Sequence, residues 1–188
     1  MTVEPIRDTK KIKAVINYLK KRTMRDYLLF LVGVNTGLRI SDIIILKYSD
    51  IFDEKGTFKQ YLVIRERKTL KEKKIKLNDS LKKALKSYIS QHPELQKKEY
   101  IFASKKGGYI TRIQAYRILK EAANKLQIEN FGTHSMRKTW GYHTYKASKF
   151  NIGLIMDIFN HSSPRVTLRY IGISQDQKDE LFSIVQFG

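Results

Sequence analysis

Apolar positions recur with a helical period at both ends of the chain and with a period of two in the middle. From Asp8 to Arg22, Ile12, Val15, Ile16 and Leu19 form one stripe with lysines opposite, which predicts an amphipathic helix. Thr23 with Asp26 has the form of a capping box and opens a second helix, Met24 to about Asn35. That helix is apolar nearly all round, so it is expected at the centre of the fold. Gly37 breaks it, and Ser41-Asp42 start a short third helix carrying Ile43, Ile44 and Leu46.

The period then changes. Tyr61-Leu62-Val63-Ile64 and Lys74-Ile75-Lys76-Leu77 read as strands joined through a turn rich in Lys and Thr. Asp50 to Asp53 is expected to add a third strand, with Glu54-Lys55-Gly56 as its turn. Asn78 caps a helix that runs to about Gln91 and ends before Pro93. Ile101-Phe102-Ala103 is a short buried extended piece, followed by a turn at Lys106-Gly107-Gly108. From Thr111 onward helix follows helix, with starts at Thr111, Thr133, Asn151 and the Ser163-Pro164 pair. Ser174 with Gln177 opens a final helix bearing Leu181, Ile184 and Val185 on one face. The expected class is mainly α with a small three-stranded antiparallel β-sheet (α+β), in a single domain spanning residues 1–188.

Composition narrows the class of partner. The chain has 188 residues, 41% of them hydrophobic, enough for one domain with a substantial core. Its 37 Lys and Arg against 18 Asp and Glu give a net charge of +19. A balance of that size attracts polyanions, nucleic acid first, although a membrane surface or ribosomal RNA would also respond to it. The absence of cysteine excludes disulfides, thiolate catalysis and Cys-ligated zinc. The N-terminal residues lack an apolar signal core, and the stretch from Leu28 to Val34 is too short to span a bilayer. A soluble cytoplasmic protein without membrane contact is expected.

The chemistry-bearing residues gather in the last third. His134 and Arg137 are three apart, so a helix places them on one face, at a helix start where free backbone amides favour an anion. An isolated His-x-x-Arg is most often a surface pair without function. Arg is nonetheless the residue suited to bidentate phosphate capture. Arg39, just after Gly37, is open to two readings: a helix-terminus Arg paired with Asp42, or a second phosphate clamp whose guanidinium Asp42 holds in place. Tyr170 is one of 11 tyrosines; what distinguishes it is its spacing from His161, which lets an imidazole and a phenol converge on one phosphate.

Four segments, Thr36-Gly37-Leu38-Arg39-Ile40-Ser41-Asp42, His134-Ser135-Met136-Arg137, Asn160-His161-Ser162-Ser163 and Arg169-Tyr170, arrive in order and together resemble the tyrosine recombinases, or phage integrase family. The resemblance implies that family's catalytic-domain fold and a site-specific DNA recombinase needing no metal, cofactor or ATP. It implies Tyr170 as nucleophile, Arg39, Arg137 and His161 on the scissile phosphate, and His134 assisting proton transfer. It also implies a lysine in a β-hairpin turn, for which Lys68 in Arg67-Lys68-Thr69 is the matching position, with Lys71, Lys73 and Lys74 close by. The implied partners are double-stranded DNA, further copies of the chain in a tetramer, and accessory DNA-binding proteins.

Asn160 departs from the Gly that commonly precedes the second His. The chain also leaves no room for the N-terminal DNA-clamping domain usual in the family, so a single catalytic domain, natural or excised, is expected. Arg112, Gln114 and Arg117 are candidates for DNA contacts, against the alternative of a solvated face. The terminal helix is balanced between docking on a neighbouring protomer and packing on its own core. A type IB topoisomerase and a catalytically silent DNA-binding regulator are the rival functions. His134 favours the recombinase over the topoisomerase, which usually has Lys there, and a complete catalytic set argues against the regulator.

Overall fold

The computed structural model describes residues 3–96, 99–173 and 184. Helices α1 (Thr9–Arg22), α2 (Met24–Thr36), α3 (Ile40–Ile43) and α4 (Tyr48–Ile51) lead into a hairpin, β1 (Leu62–Arg65) and β2 (Glu72–Ile75). Then follow α5 (Asp79–Gln91), a 3-10 turn (Pro93–Gln96), α6 (Arg112–Lys125), α7 (Thr133–Ala147), α8 (Ile152–Phe159) and α9 (Pro164–Ile171). Side-chain caps set several starts: Thr23 accepts from Asp26 N–H at 3.1 Å, Asn78 from Leu81 N–H at 2.9 Å, and Ser163 from Val166 N–H at 3.3 Å. None of the described helices is long and apolar enough to cross a membrane.

The apolar α2 is central, as its pattern predicts. Leu28, Leu29 and Phe30 are fully buried within a large core to which α1, α5, α6 and the start of α7 contribute Leu19, Leu85, Leu119 and Met136. A second, smaller cluster holds Tyr142, Ile155, Phe159 and Ile171 from α7, α8 and α9. Helix α7 thus belongs to both clusters, and its first two turns face the junction. Two glycines make that junction possible. Gly37 ends α2 with φ of 64° and faces Trp140 so closely that a Cβ would lie 2.5 Å from the indole. A Cβ at Gly141 would lie 2.7 Å from Ile171 and 2.8 Å from Phe159, so glycine is what lets α8 and α9 close on α7.

The sheet has two strands, not three. Residues Tyr48–Ile51 form a helical turn because Asp50 accepts from Lys47 N–H at 2.8 Å and caps it. Only Phe52 extends beyond this, in a single bridge to Phe58 around a turn held by the Asp53 carboxylate. The second strand also starts earlier than its apolar pattern suggests. Arg65 pairs with Glu72 and Leu62 with Ile75, while Leu77 is buried beyond the strand end. The expected start of the last helix at Ser174 and Gln177, with Leu181 and Val185, lies outside the described residues; Ile184 is helical and exposed.

Candidate active site and family

Five of the expected residues come together where the two apolar clusters meet. Arg137, on the first turns of α7, is almost fully buried. Its guanidinium donates to the carbonyls of Gly37 and Phe159 and lies 4.2 Å from the Phe159 ring centroid. Burial lowers its pKa, opposed chiefly by the neighbouring Tyr170, while Arg39 adds to the lowering. The carbonyl where α2 ends and the carbonyl where α8 ends are therefore tied to one cation.

Arg39 is the N-cap residue of α3, in an extended conformation. Its Nη1 lies 2.8 Å from Glu66 Oε1, but the pair lacks hydrogen-bond alignment. The expected Asp42 partnership is not the one formed. Asp42 is buried and its Oδ1 accepts from Arg67 N–H at 3.0 Å, so it holds the hairpin rather than the guanidinium. Among the described residues, Arg39 Nη1 and Asp42 Oδ2 are the buried side-chain polar atoms without a hydrogen-bond partner. Arg39 Nη1 still has the Glu66 carboxylate beside it, so the oxygen left unsatisfied is Asp42 Oδ2.

His161 and Tyr170 face each other with ring centroids 5.0 Å apart, and both pack edge-on against Phe159 at 5.4 Å. His161 Nδ1 is 3.0 Å from the Thr167 hydroxyl, which reaches Ser163 O at 3.3 Å. Burial, then Arg137, Arg39 and Lys73, push the His161 pKa down. Burial raises the Tyr170 phenol above its ordinary value, and Arg137 and Arg39 partly oppose this. His134 stands at the exposed rim, its pKa lowered by desolvation and then by Arg137, Arg39, Lys138 and Lys68. Both environments therefore favour the neutral imidazole.

The lysines divide. Lys68 is exposed in the hairpin turn, held by no hydrogen bond or ion pair among the described residues, and near enough to bear on His134. Lys73 is committed instead: its Nζ bonds Glu66 at 2.9 Å and also the Ile158 carbonyl. Burial lowers its pKa, with Glu66 opposing. Lys71 bonds Asn160 Oδ1 at 2.7 Å. Asn160 takes the left-handed conformation, φ 59° and ψ 45°, at the end of α8, which explains why Asn serves where the family commonly has Gly. Arg112, Gln114 and Arg117 are exposed on α6 and do not touch this cluster; the Gln114 carboxamide caps its own helix at Thr111 N–H, 2.8 Å.

Glu66, Phe159 and Thr167 were not evident as site residues from their types, and Lys73 stood out only as one of the lysines beside Lys68. Glu66 did leave a signal: extending the β1 alternation of buried Leu62 and half-buried Ile64 puts this lone acid, among Arg65, Arg67 and Lys68, on the inward face. Burial alone would raise its carboxyl, but hydrogen bonds from Lys73 and Thr69, with Lys73 and Arg39 nearby, bring it down to about 2. Among the described residues no three His, Cys, Asp or Glu are grouped to hold a metal ion.

Residues 7–177 match the model of the phage integrase family. The chain is 45% identical over 175 residues to the probable integrase/recombinase YoeC of Bacillus subtilis, covering 93% of this chain and 92% of that one. It is 27% identical over 167 residues to the tyrosine recombinase XerA of Pyrococcus furiosus, covering 87% of this chain but only 56% of the relative. The solved structure of XerH site-specific recombinase bound to a palindromic difH substrate, a post-cleavage complex, superimposes with a TM-score of 0.76 at 19% identity, over 94% of this chain and 51% of that one. On this evidence of sequence and fold, the chain belongs to the phage integrase family, the tyrosine-type site-specific DNA recombinases.

Proposed function

We propose that this chain cuts and rejoins double-stranded DNA through a covalent link between Tyr170 and the 3′-phosphate of the cleaved strand. What carries the reading is the convergence of Arg39, Arg137, His161 and Tyr170 in one cluster, with the Tyr170 phenol under the influence of both guanidiniums and against the His161 ring. In the first step a bond forms from the Tyr170 phenolic oxygen to phosphorus, and the bond from phosphorus to the 5′-oxygen breaks. The phenol proton passes to neutral His134, and the departing 5′-oxygen takes a proton from Lys68. Arg39 and Arg137 neutralise charge gathering on the non-bridging oxygens, and His161 hydrogen-bonds one of them. Attack by a 5′-hydroxyl from a second duplex reverses the step and exchanges the strands. The phosphodiester energy is conserved in the phosphotyrosine, so the cycle needs neither ATP nor a metal ion.

Exchange between two duplexes calls for four copies of the chain on DNA, with accessory DNA-binding proteins aiding their assembly. Arg112 and Arg117 stay solvent-facing and suit contacts to the phosphate backbone, which set register without reading sequence. The net charge of +19 supports the same partner.

The test uses nicked duplexes from the DNA flanking the gene, incubated with the protein without added metal. A denaturation-resistant adduct mapping to Tyr170, absent with Tyr170→Phe although that variant still binds DNA, is the expected result. An adduct that survives in Tyr170→Phe would assign the nucleophile elsewhere, and DNA relaxation without any site requirement would favour a topoisomerase.

A further inference from the structure

Glu66 is a carboxylate whose side chain is 1% exposed, inside a site whose task would be to hold a phosphate. A buried anion there weakens the positive field that a phosphate needs, so its presence asks for a separate reason. Its two oxygens are divided between two parts of the molecule. Oε1 is shared by Arg39 Nη1, at 2.8 Å, and Lys73 Nζ, at 2.9 Å. Oε2 accepts from the Thr69 hydroxyl at 2.7 Å, and Thr69 directly follows Lys68.

The backbone of the turn is closed around the same residue. Glu66 N–H donates to Lys71 O at 2.9 Å, and Leu70 N–H donates to Glu66 O at 2.8 Å. Leu70 holds a left-handed conformation, φ 57°, that this closure requires. Arg65 Nε reaches Leu70 O at 2.8 Å, and Arg67 N–H reaches Asp42 at 3.0 Å. Every residue from 65 to 71 is thus anchored by backbone or side chain, with Lys68 the exception at the apex. Lys68 is flanked by two such anchors, Arg67 N–H on the Asp42 carboxylate and the Thr69 hydroxyl on Glu66. The Thr69 bond, through Glu66, leads directly to the Arg39 guanidinium.

We infer that Glu66 is a positioning residue that holds the Lys68 turn at a fixed distance from the phosphate clamp Arg39, and so sets up proton delivery to the leaving 5′-oxygen. The inference rests on the proposed role of Lys68. Entropy explains the need: a free lysine on a free turn would sample many positions, and fixing the turn leaves only the side-chain rotamers to be ordered.

The experiment compares ordinary nicked duplexes with duplexes in which sulfur replaces the bridging 5′-oxygen of the scissile phosphate. A thiolate is a far weaker base than an alkoxide and leaves without receiving a proton. Cleavage rates are measured for the wild type, Lys68→Ala, Glu66→Ala and Thr69→Val, with a melting curve for each. Thr69→Val removes only the hydroxyl and serves where Glu66→Ala does not fold. The expected result is a loss of at least about tenfold on the oxygen substrate for Glu66→Ala and Thr69→Val. On the sulfur substrate that loss should shrink to within about threefold, as for Lys68→Ala, because no proton is required there. Equal losses on both substrates, with Lys68→Ala restored by sulfur, would overturn the role of Glu66 and leave the function intact. If sulfur fails to restore Lys68→Ala, the leaving-group role of Lys68 falls and the inference with it. A wild-type adduct at Tyr170 would still uphold the recombinase reading.

Discussion

The guanidinium of Arg137 lies over the ring of Phe159, 4.2 Å from its centroid, and also donates to the Phe159 carbonyl at 3.3 Å. One residue at the end of α8 therefore holds a catalytic candidate by both its side chain and its backbone. The same ring meets His161 and Tyr170 edge-on, each at 5.4 Å. Phe159→Leu keeps apolar volume and the carbonyl but removes the aromatic face. Its stability cost should be modest, about 1–2 kcal/mol, whereas adduct formation should fall about tenfold or more because three groups lose their common support. Melting curves and single-turnover cleavage together check this; a rate loss no larger than the stability loss would reduce Phe159 to a packing residue.

Lys68 and Lys73 should separate by experiment as they do in structure. Lys68 is exposed and unpaired among the described residues, so Lys68→Ala should leave the melting temperature within a degree or two while slowing cleavage about a hundredfold. Lys73→Ala removes one of the cations bonded to fully buried Glu66 and frees the Ile158 carbonyl. It should cost a few kcal/mol of stability, since a buried carboxylate loses a partner. A melting loss for Lys68→Ala as large as that for Lys73→Ala would reverse the two assignments.

Acid should act in two stages. His134 and His161 have lowered pKa values when folded, so just below the ordinary histidine range the unfolded chain binds protons that the folded chain refuses. Stability is therefore lost as pH falls from about 7 through the lowered folded values, and is flat above. Glu66 follows at lower pH: its carboxyl is depressed to about 2, so its contribution is present above the ordinary carboxylate value and disappears as pH falls toward 2. Urea unfolding between pH 8 and pH 3 measures both. His161→Ala should shrink the first stage, leaving the share of His134, and Glu66→Gln should shrink the second; a Glu66→Gln protein with an unchanged acid limb would show that its carboxylate is not held down.

Much of this arrangement was legible in the chain. The apolar ring around α2 predicts its central position, and Gly37, Ser163-Pro164 and Asn78 mark element ends that the structure keeps. The spacing of His134 to Arg137 and of His161 to Tyr170 locates most of the cluster. What escaped detection depends on contacts distant in sequence. Asp50 could form a strand or cap a turn, and local apolar alternation does not distinguish the two. Arg39 pairs with Glu66 rather than with Asp42 three residues away, because the inward face of the hairpin brings Glu66 to it, while Asp42 Oδ1 accepts from Arg67 N–H. A single acid in a run of basic residues reads as solvated until the strand's inward face is counted.

Asn160 gives the clearest separation of backbone from side-chain effects. It sits in the left-handed region, φ 59° and ψ 45°, one residue before His161, and its side chain receives the Lys71 ammonium at 2.7 Å. Asn160→Gly removes the steric cost of that conformation but also the Lys71 contact, an exposed bond of small value. Its stability should stay within about 0.5 kcal/mol of the wild type. Asn160→Ala loses the same contact and adds about 1 kcal/mol of backbone strain. The order of melting temperatures should therefore be wild type close to Gly, with Ala lowest. Should the Gly and Ala variants melt together, well below the wild type, the Lys71 tether and not the backbone conformation would be what Asn160 contributes.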